Sequence, residues 1–374
     1  MAVRFRLPAH YMKYVFFVQS EGRGHLTQAL AVKSKLEKRG HQVMAVIIGQ
    51  NKNGLPNFFR ETINAPIFLI DSPNFVLDKD GQGIKTVASV LVSLRRSPDF
   101  FRSLKKIAQL ITKLSPDALI SFYEPLAGIY TRIYRDKRPL YCIGHQYFIA
   151  HPSFLFPQER QSERRLFEFF NRLNAPKRSI KIALSFTSEV DQIKNNLFIT
   201  PPLIRSEILE KKSNVGDFLL IYLLNPGYQK QIVDWSVKNP HIKIEAFSLA
   251  PPNQGESGSK YLTWHGLSGQ KFIDRLALCR AYISTAGFDS IAEAAYLGKN
   301  IMMVPTKNHY EQLCNATDAK RAGLAISSEH FDISLITNKK QNTHPTIALK
   351  AFREWVNNNS DKITDILEGK RTTN

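Results

Sequence analysis

At 374 residues, with 43% hydrophobic and 22% charged side chains, the chain has the composition of an ordinary globular protein of about two domains, which excludes a disordered, fibrous or collagen-like chain. No apolar run approaches the roughly eighteen residues of a membrane-spanning helix, and Cys142, Cys279 and Cys314, in no CxxC spacing, support neither a disulfide framework nor a cysteine-rich zinc site; a reducing cytoplasm is expected. The formal net charge of +19 is uneven: residues 1–209 hold 31 basic and 16 acidic side chains and residues 210–374 hold 20 and 16, so the first half carries the field that draws a polyanion or an anionic lipid surface.

In chain order, the apolar YVFFV is too short for the core of a signal peptide, so no export is expected, and Met12-Lys13 can serve as the start, with residues 1–11 an extension outside the fold. Strands follow at 14–20, 43–49, 66–71, 118–123, 140–146 and 180–186, then at 218–224, 242–249, 281–286 and 300–305, alternating with segments of helical period. This is the pattern of parallel sheets wrapped by helices, an α/β architecture of two Rossmann-like halves. Pro201-Pro202 and the charged, strand-poor stretch to Gly216 read as a crossover, dividing the chain into domains 1–209 and 210–374. Helical stretches at 346–357 and 361–368 are expected to pack back on the first domain. Two such domains bind ligands in the cleft between strand carboxyl ends.

The first strand runs into Glu21-Gly22-Arg23-Gly24-His25 and a helix whose Leu26, Ala29, Leu30, Val32 and Leu36 share one face. Gly22 and Gly24 let the backbone approach a ligand, and the helix start favours an anion. The third glycine of a GxGxxG pattern is replaced by Thr27, the second strand ends in Gly49-Gln50 rather than an acid, and no GxxxxGK[ST] occurs, so neither a dinucleotide fingerprint nor a P-loop is present. His25 is either an exposed histidine at the turn or a general base or substrate contact.

In the second half the strand AYISTA enters Gly287-Phe288-Asp289-Ser290, a helix start suited to a diphosphate without a metal. Glu293, one turn in, either accepts two ribose hydroxyls or completes a capping box with Ser290. After the next strand, Asn308 and Glu311 can form another cap, while Glu311 and Gln312 suit sugar hydroxyls, with Asn315 a turn further.

The blocks EGRGHLTQAL, TAGFDSIAEAAYLGKNIMMVP and NHYEQLCNATDAKRAGLA resemble the inverting GT-B glycosyltransferases, and within them the branch of the N-acetylglucosaminyltransferase that acts on the lipid intermediate of peptidoglycan synthesis. The three blocks make up about an eighth of the chain. The resemblance implies a first domain holding the acceptor and a second holding a nucleotide-diphospho-sugar. Gly22, Gly24 and His25 match the glycine loop facing the cleft, Gly287, Phe288, Asp289 and Ser290 the phosphate-binding helix start, Glu293 the ribose-binding acid, and Glu311, Gln312 and Asn315 the sugar-recognition segment. The chain departs from the family at Asn225-Pro226-Gly227, where the family has Gly-Gly-Ser, and at Glu311-Gln312, where the lipid-intermediate enzyme has paired glutamines; the second departure leaves the donor sugar open.

On that reading the reaction is an inverting transfer with a UDP-sugar as the expected donor and with no cofactor and no metal expected. The base comes from the first domain: His25 first, Glu124 second, since Glu124-Pro125 follows the strand ALISFY and can face the cleft or be solvated. Asp117 reads as a turn cap. His145 and His151, six apart, lack zinc-site spacing and suit acceptor-loop or packing roles. LVSLRRSPDFFRSLKKIAQLITKL and FIAHPSFLFPQERQSERRLFEFFNRL mix Arg and Lys with Phe, Leu and Ile, which suits either helices facing the core or a cytoplasmic protein peripheral on an anionic membrane, with a lipid-linked or envelope-glycan acceptor. Rival readings are a non-hydrolysing nucleotide-sugar epimerase and, from another class, a basic nucleic-acid-binding or scaffold protein, for which no RNP, zinc-finger or helix-turn-helix pattern is present.

Overall fold

The structure, a computed structural model, describes residues 11–20, 23–50, 54–72, 97–223, 225–252, 258–337 and 346–370. The first lobe comprises β1 (Lys13–Gln19), α1 (Gly24–Lys38), β2 (Gln42–Gln50), α2 (Asn57–Ile63), β3 (Ile67–Asp71), α3 (Ser97–Leu114), β4 (Ala118–Phe122), α4 (Pro125–Ile133), β5 (Leu140–Ile143), α5 (Gln161–Asn174), β6 (Ile180–Leu184) and β7 (Leu197–Thr200). A crossover carrying α6 (Ser206–Leu209) leads to β8 (Phe218–Leu223), α7 (Gln229–Lys238), β9 (Lys243–Ser248), β10 (Leu262–Gly266), α8 (Gly269–Leu278), β11 (Ala281–Thr285), α9 (Phe288–Tyr296), β12 (Asn300–Val304), α10 (Tyr310–Arg321), β13 (Ile326–Ser327), α11 (Ser334–Thr337), α12 (Thr346–Asn358) and α13 (Lys362–Leu367).

Two parallel sheets result, in the orders β3-β2-β1-β4-β5-β6-β7 and β10-β9-β8-β11-β12-β13. Central strands of such sheets are covered on both faces and need unbroken apolar runs; Tyr14 to Val18 of β1 are fully buried, as are Leu219, Leu220 and Ile221 of β8. Helix α1 buries Leu26, Ala29, Val32 and Leu36, while Leu30 packs at the margin. Strand order reverses between β1 and β4 and again between β8 and β11. Crevices at the carboxyl ends of strands open at such reversals, which is where ligands bind in this architecture.

The structure corrects several local expectations. Strands β7, β10 and β13, absent from the sequence-based prediction, are each at a sheet edge, where a strand needs no continuous apolar run; β10 buries only its first residue fully. The strand expected at 140–146 stops at Ile143, and His145–Ala150 form a 3-10 turn. Gly287 is the N-cap of α9, so Ser290 lies inside the helix and forms no capping box with Glu293. His309, not Asn308, precedes α10; Asn308 takes a left-handed φ of 59° and its Oδ1 accepts from Arg160.

The last two helices lie against the first lobe. Tyr14 Oη donates to the Leu367 carbonyl at 3.0 Å, Trp355 Nε1 to the Ser185 carbonyl at 3.1 Å, and Arg39 pairs with Asp365 and Glu368.

Candidate active site

The turn after β1 enters α1 at Gly24, and the turn after β11 enters α9 at Gly287. These two helix starts meet across the lobes. Gln28 Nε2 donates to Asp289 Oδ1 at 2.9 Å, and a Cβ placed on Gly24 would fall 2.3 Å from Asp289 Oδ2. Glycine at 24 is therefore required by the approach of a carboxylate from the opposite lobe. Burial pushes that carboxyl up to about 6, with Gln28 opposing and Glu293 adding to the shift.

His25, next to Gly24, stacks on Tyr123 with ring centroids 5.8 Å apart and planes inclined by 22°. Tyr123 directly follows β4 and takes a left-handed φ of 59°. Burial pushes the His25 imidazole down to about 4, while the Gln28 side chain acts in the opposite direction. The ring is thus neutral at pH 7, as a general base must be. Its Nε2 lies 3.4 Å from Gln146 Nε2, and the same amide nitrogen donates to Glu311 Oε1 at 3.1 Å. Glu311 is in the first turn of α10, so a second helix start of the second lobe is joined to the first lobe here.

Glu293 is buried, and both its oxygens are held by Arg205, whose Nε and Nη2 each donate at 2.6 Å. Arg205 comes from the crossover, outside any block that drew attention in the sequence; its one signal is a lone cation after the apolar Pro201-Pro202-Leu203-Ile204. Phe288 packs rather than projects: its ring stacks on His145 at 4.1 Å and touches Phe186 at 4.6 Å. Below it, His145 Nδ1 is 2.7 Å from the Leu184 carbonyl, and its Nε2 faces Asp318 Oδ2 at 3.6 Å. Arg321 of α10 adds a polar tie, donating to Thr187 Oγ1 at 2.9 Å and Glu189 Oε1 at 3.3 Å.

Of the residues singled out in the sequence, Gly24, His25, Phe288, Asp289, Glu293 and Glu311 thus meet at or beside the lobe junction, with Gly287 and Ser290 in the same half-buried turn. Gly22 lies outside the described residues. Gln312 and Asn315 are committed to the backbone: Gln312 Oε1 accepts from the Thr306 amide at 2.8 Å and Asn315 Nδ2 donates to the Ala286 carbonyl at 2.9 Å, ties that fix the turns before α10 and α9. Asn225 caps its own turn, with Oδ1 accepting from the Gly227 amide at 2.9 Å. Asp117 accepts the Lys13 amide at 2.8 Å. Glu124 is not solvated, and its partners belong to the first lobe. It is fully buried as the N-cap of α4, accepting from Leu126 N at 3.1 Å and Ser72 Oγ at 2.5 Å, and burial pushes it up to about 7 against those two bonds. Among the described residues, no cluster of three His, Cys, Asp or Glu side chains is arranged to hold a metal ion.

Residues 12–340 match glycosyl transferase family 1. The chain belongs to that family. Membership decides for a glycosyltransferase over the epimerase and scaffold readings. The transferase is 24% identical to an uncharacterized glycosyltransferase of Methanosarcina acetivorans, over 92% of this chain and 87% of that protein. Its fold is similar to that of UGT89C1 of Arabidopsis thaliana complexed with UDP, at 13% identity and a TM-score of 0.63 over 96% of this chain and 99% of that one. It is also similar to MurG of Acinetobacter baumannii, at 15% identity and a TM-score of 0.56 over 94% and 99%. The two facing parallel-sheet lobes are the GT-B architecture.

Proposed function

We propose that this glycosyltransferase moves a sugar from a nucleotide-diphospho-sugar, with uridine as the base, to an acceptor hydroxyl, with inversion and without a metal. The observation that carries the reading is the apposition of Gly24 and Gln28 with Asp289. It places the glycine turn of the acceptor lobe against the helix start suited to a leaving diphosphate. The amides in the first turn of α9, near Phe288 to Ser290, which an α-helix leaves without intrahelical acceptors, take up charge as the anomeric carbon to diphosphate bond breaks. Glu293, oriented by Arg205, keeps lone pairs for ribose hydroxyls. Glu311 faces the sugar, and His25 takes the acceptor's proton. Uridine is supported by the likeness to a plant enzyme complexed with UDP.

For the acceptor, a lipid-linked or envelope glycan met at the inner face of a membrane is supported by Phe101 and Phe169. They are 65% and 55% exposed on α3 and α5, among Arg102, Lys105, Lys106, Arg165 and Arg172, although Leu104, Ile107 and Ile111 of α3 face the core. The 91–96 part of that basic segment lies outside the described residues. Flotation with anionic liposomes at low salt is expected to carry the protein upward; no binding there removes the membrane.

A thermal-shift screen of nucleotide diphosphates and their sugars against the wild type and Glu293→Ala tests the donor. Stabilisation by a uridine or thymidine ligand, weakened in the variant, is expected. No response to any ligand contradicts the reading.

A further inference from the structure

Both glutamines beside His25 are turned by an acid of the opposite lobe. An amide side chain can present its nitrogen or its oxygen to a neighbour, whereas an ionised carboxylate only accepts. Asp289 therefore draws the nitrogen of Gln28 toward itself, at 2.9 Å, and Glu311 draws that of Gln146, at 3.1 Å. The consequences meet on one imidazole. Gln146 Nε2 also lies 3.4 Å from His25 Nε2; being a donor, it requires that ring nitrogen to offer a lone pair. On the other side, Gln28 has its nitrogen committed to Asp289, and its buried Oε1 has no hydrogen-bond partner among the described residues, nor has the buried His25 Nδ1, three residues earlier on the same helix. A proton on Nδ1 supplies the donor that the Gln28 carbonyl lacks. Gly144 makes room for the arrangement, since a Cβ there would fall 2.5 Å from Gln146 Oε1.

We propose that Gln28 and Gln146 are positioning residues that convert closure of the lobes into one tautomer of His25, with the proton on Nδ1 and a bare Nε2 facing the junction. The proposal rests on the transferase reading for the identity of the base. In the transfer, an acceptor hydroxyl replaces the Gln146 N–H at Nε2. Its oxygen forms the bond to the anomeric carbon, its proton passes to Nε2, and the bond from that carbon to the diphosphate breaks with the electron pair leaving on oxygen. With the lobes apart, neither acid is present to orient its glutamine, so the base is set only in the closed enzyme. Among the described residues, the groups facing the ring are Tyr123 just after β4, Gln146 from the 3-10 turn and Gln28 from its own helix. Behind the glutamines stand the carboxyls of Asp289 and Glu311.

A long-range 1H–15N spectrum of the whole chain labelled at histidine, with His25 assigned by its loss in His25→Gln, reads the tautomer directly. The wild type is expected to show Nδ1 protonated and Nε2 bare. Gln28→Leu and Gln146→Leu, each checked for folding by its melting temperature, are expected to lose that preference and give a mixture. Should Gln146→Leu not fold, Glu311→Gln, which no longer dictates the amide's orientation, gives the same loss. In turnover, Gln28→Leu and Gln146→Leu are each expected to lose about tenfold in kcat with the donor KM unchanged. A wild-type ring protonated at Nε2, or a tautomer unmoved in the variants, overturns the proposal. The spectrum needs no substrate. A chain with the expected tautomer that binds no nucleotide sugar supports this assignment and overturns the transferase reading instead.

Discussion

Arg205 and Glu293 form a two-pronged ion pair, each guanidinium nitrogen 2.6 Å from its carboxylate oxygen, although one residue is on the crossover and the other on α9, 88 positions later. The pair fastens the segment between the lobes to the helix proposed to hold the donor. The carboxylate is 3% exposed, so removing its partner strands a buried charge. Arg205→Met is expected to lower stability by about 3–5 kcal/mol in denaturant unfolding, and Arg205→Met/Glu293→Gln to recover most of that. A single variant as stable as the wild type would mean that the pair is solvated.

Gly24→Ala sets a methyl group against the Asp289 carboxylate and pushes it off Gln28. The expected loss is roughly 1–3 kcal/mol in unfolding free energy, from the contact and the orphaned amide. Asp289→Gly in the same chain should relieve it. Equal losses with and without Asp289 would place the strain elsewhere.

Glu124 links stability to pH. Its folded value is raised from 4.5 to about 7. The protonated form is therefore favoured by the fold, and its stabilisation is complete below pH 4.5 and lost as pH rises through 7. Over that window the loss is about 3 kcal/mol. Glu124→Gln is expected to flatten the dependence in melts between pH 4 and 8; an unchanged slope would contradict the buried, protonated carboxyl.

His25 has the opposite sign. Its value is lowered from 6.5 to about 4, so the fold favours the neutral ring and this contribution disappears as pH falls from 6.5 through 4. An NMR titration should find its midpoint near 4, whereas a midpoint at 6.5 would indicate a ring open to water.

The strands that carry the site were legible because they are central. β1, β4, β8 and β11 must bury both faces, and their predominantly apolar sequences announce it. The edge strands β7, β10 and β13 carry no such obligation and left no comparable trace. The glycines at 24 and 287 were legible as turns, but what each faces was not. Gln28 meets Asp289 across 261 positions and Gln146 meets Glu311 across 165, and neither pairing has a local period or spacing. Ser290 and Glu293 had the spacing of a capping box, yet the helix begins at Gly287 and the carboxylate turns to Arg205. A distant cation outcompeted a local cap, which sequence spacing alone does not reveal.

The account's central claim is that a donor's diphosphate lies between the start of α9 and the turn entering α1. Hydrogen–deuterium exchange with and without saturating UDP measures this most directly. Protection is expected at the amides of 287–291 and 310–313, and at 23–28, which face Asp289 across the junction. Protection confined to any other part of the chain would contradict it, as would no change at 287–291 under UDP that demonstrably binds.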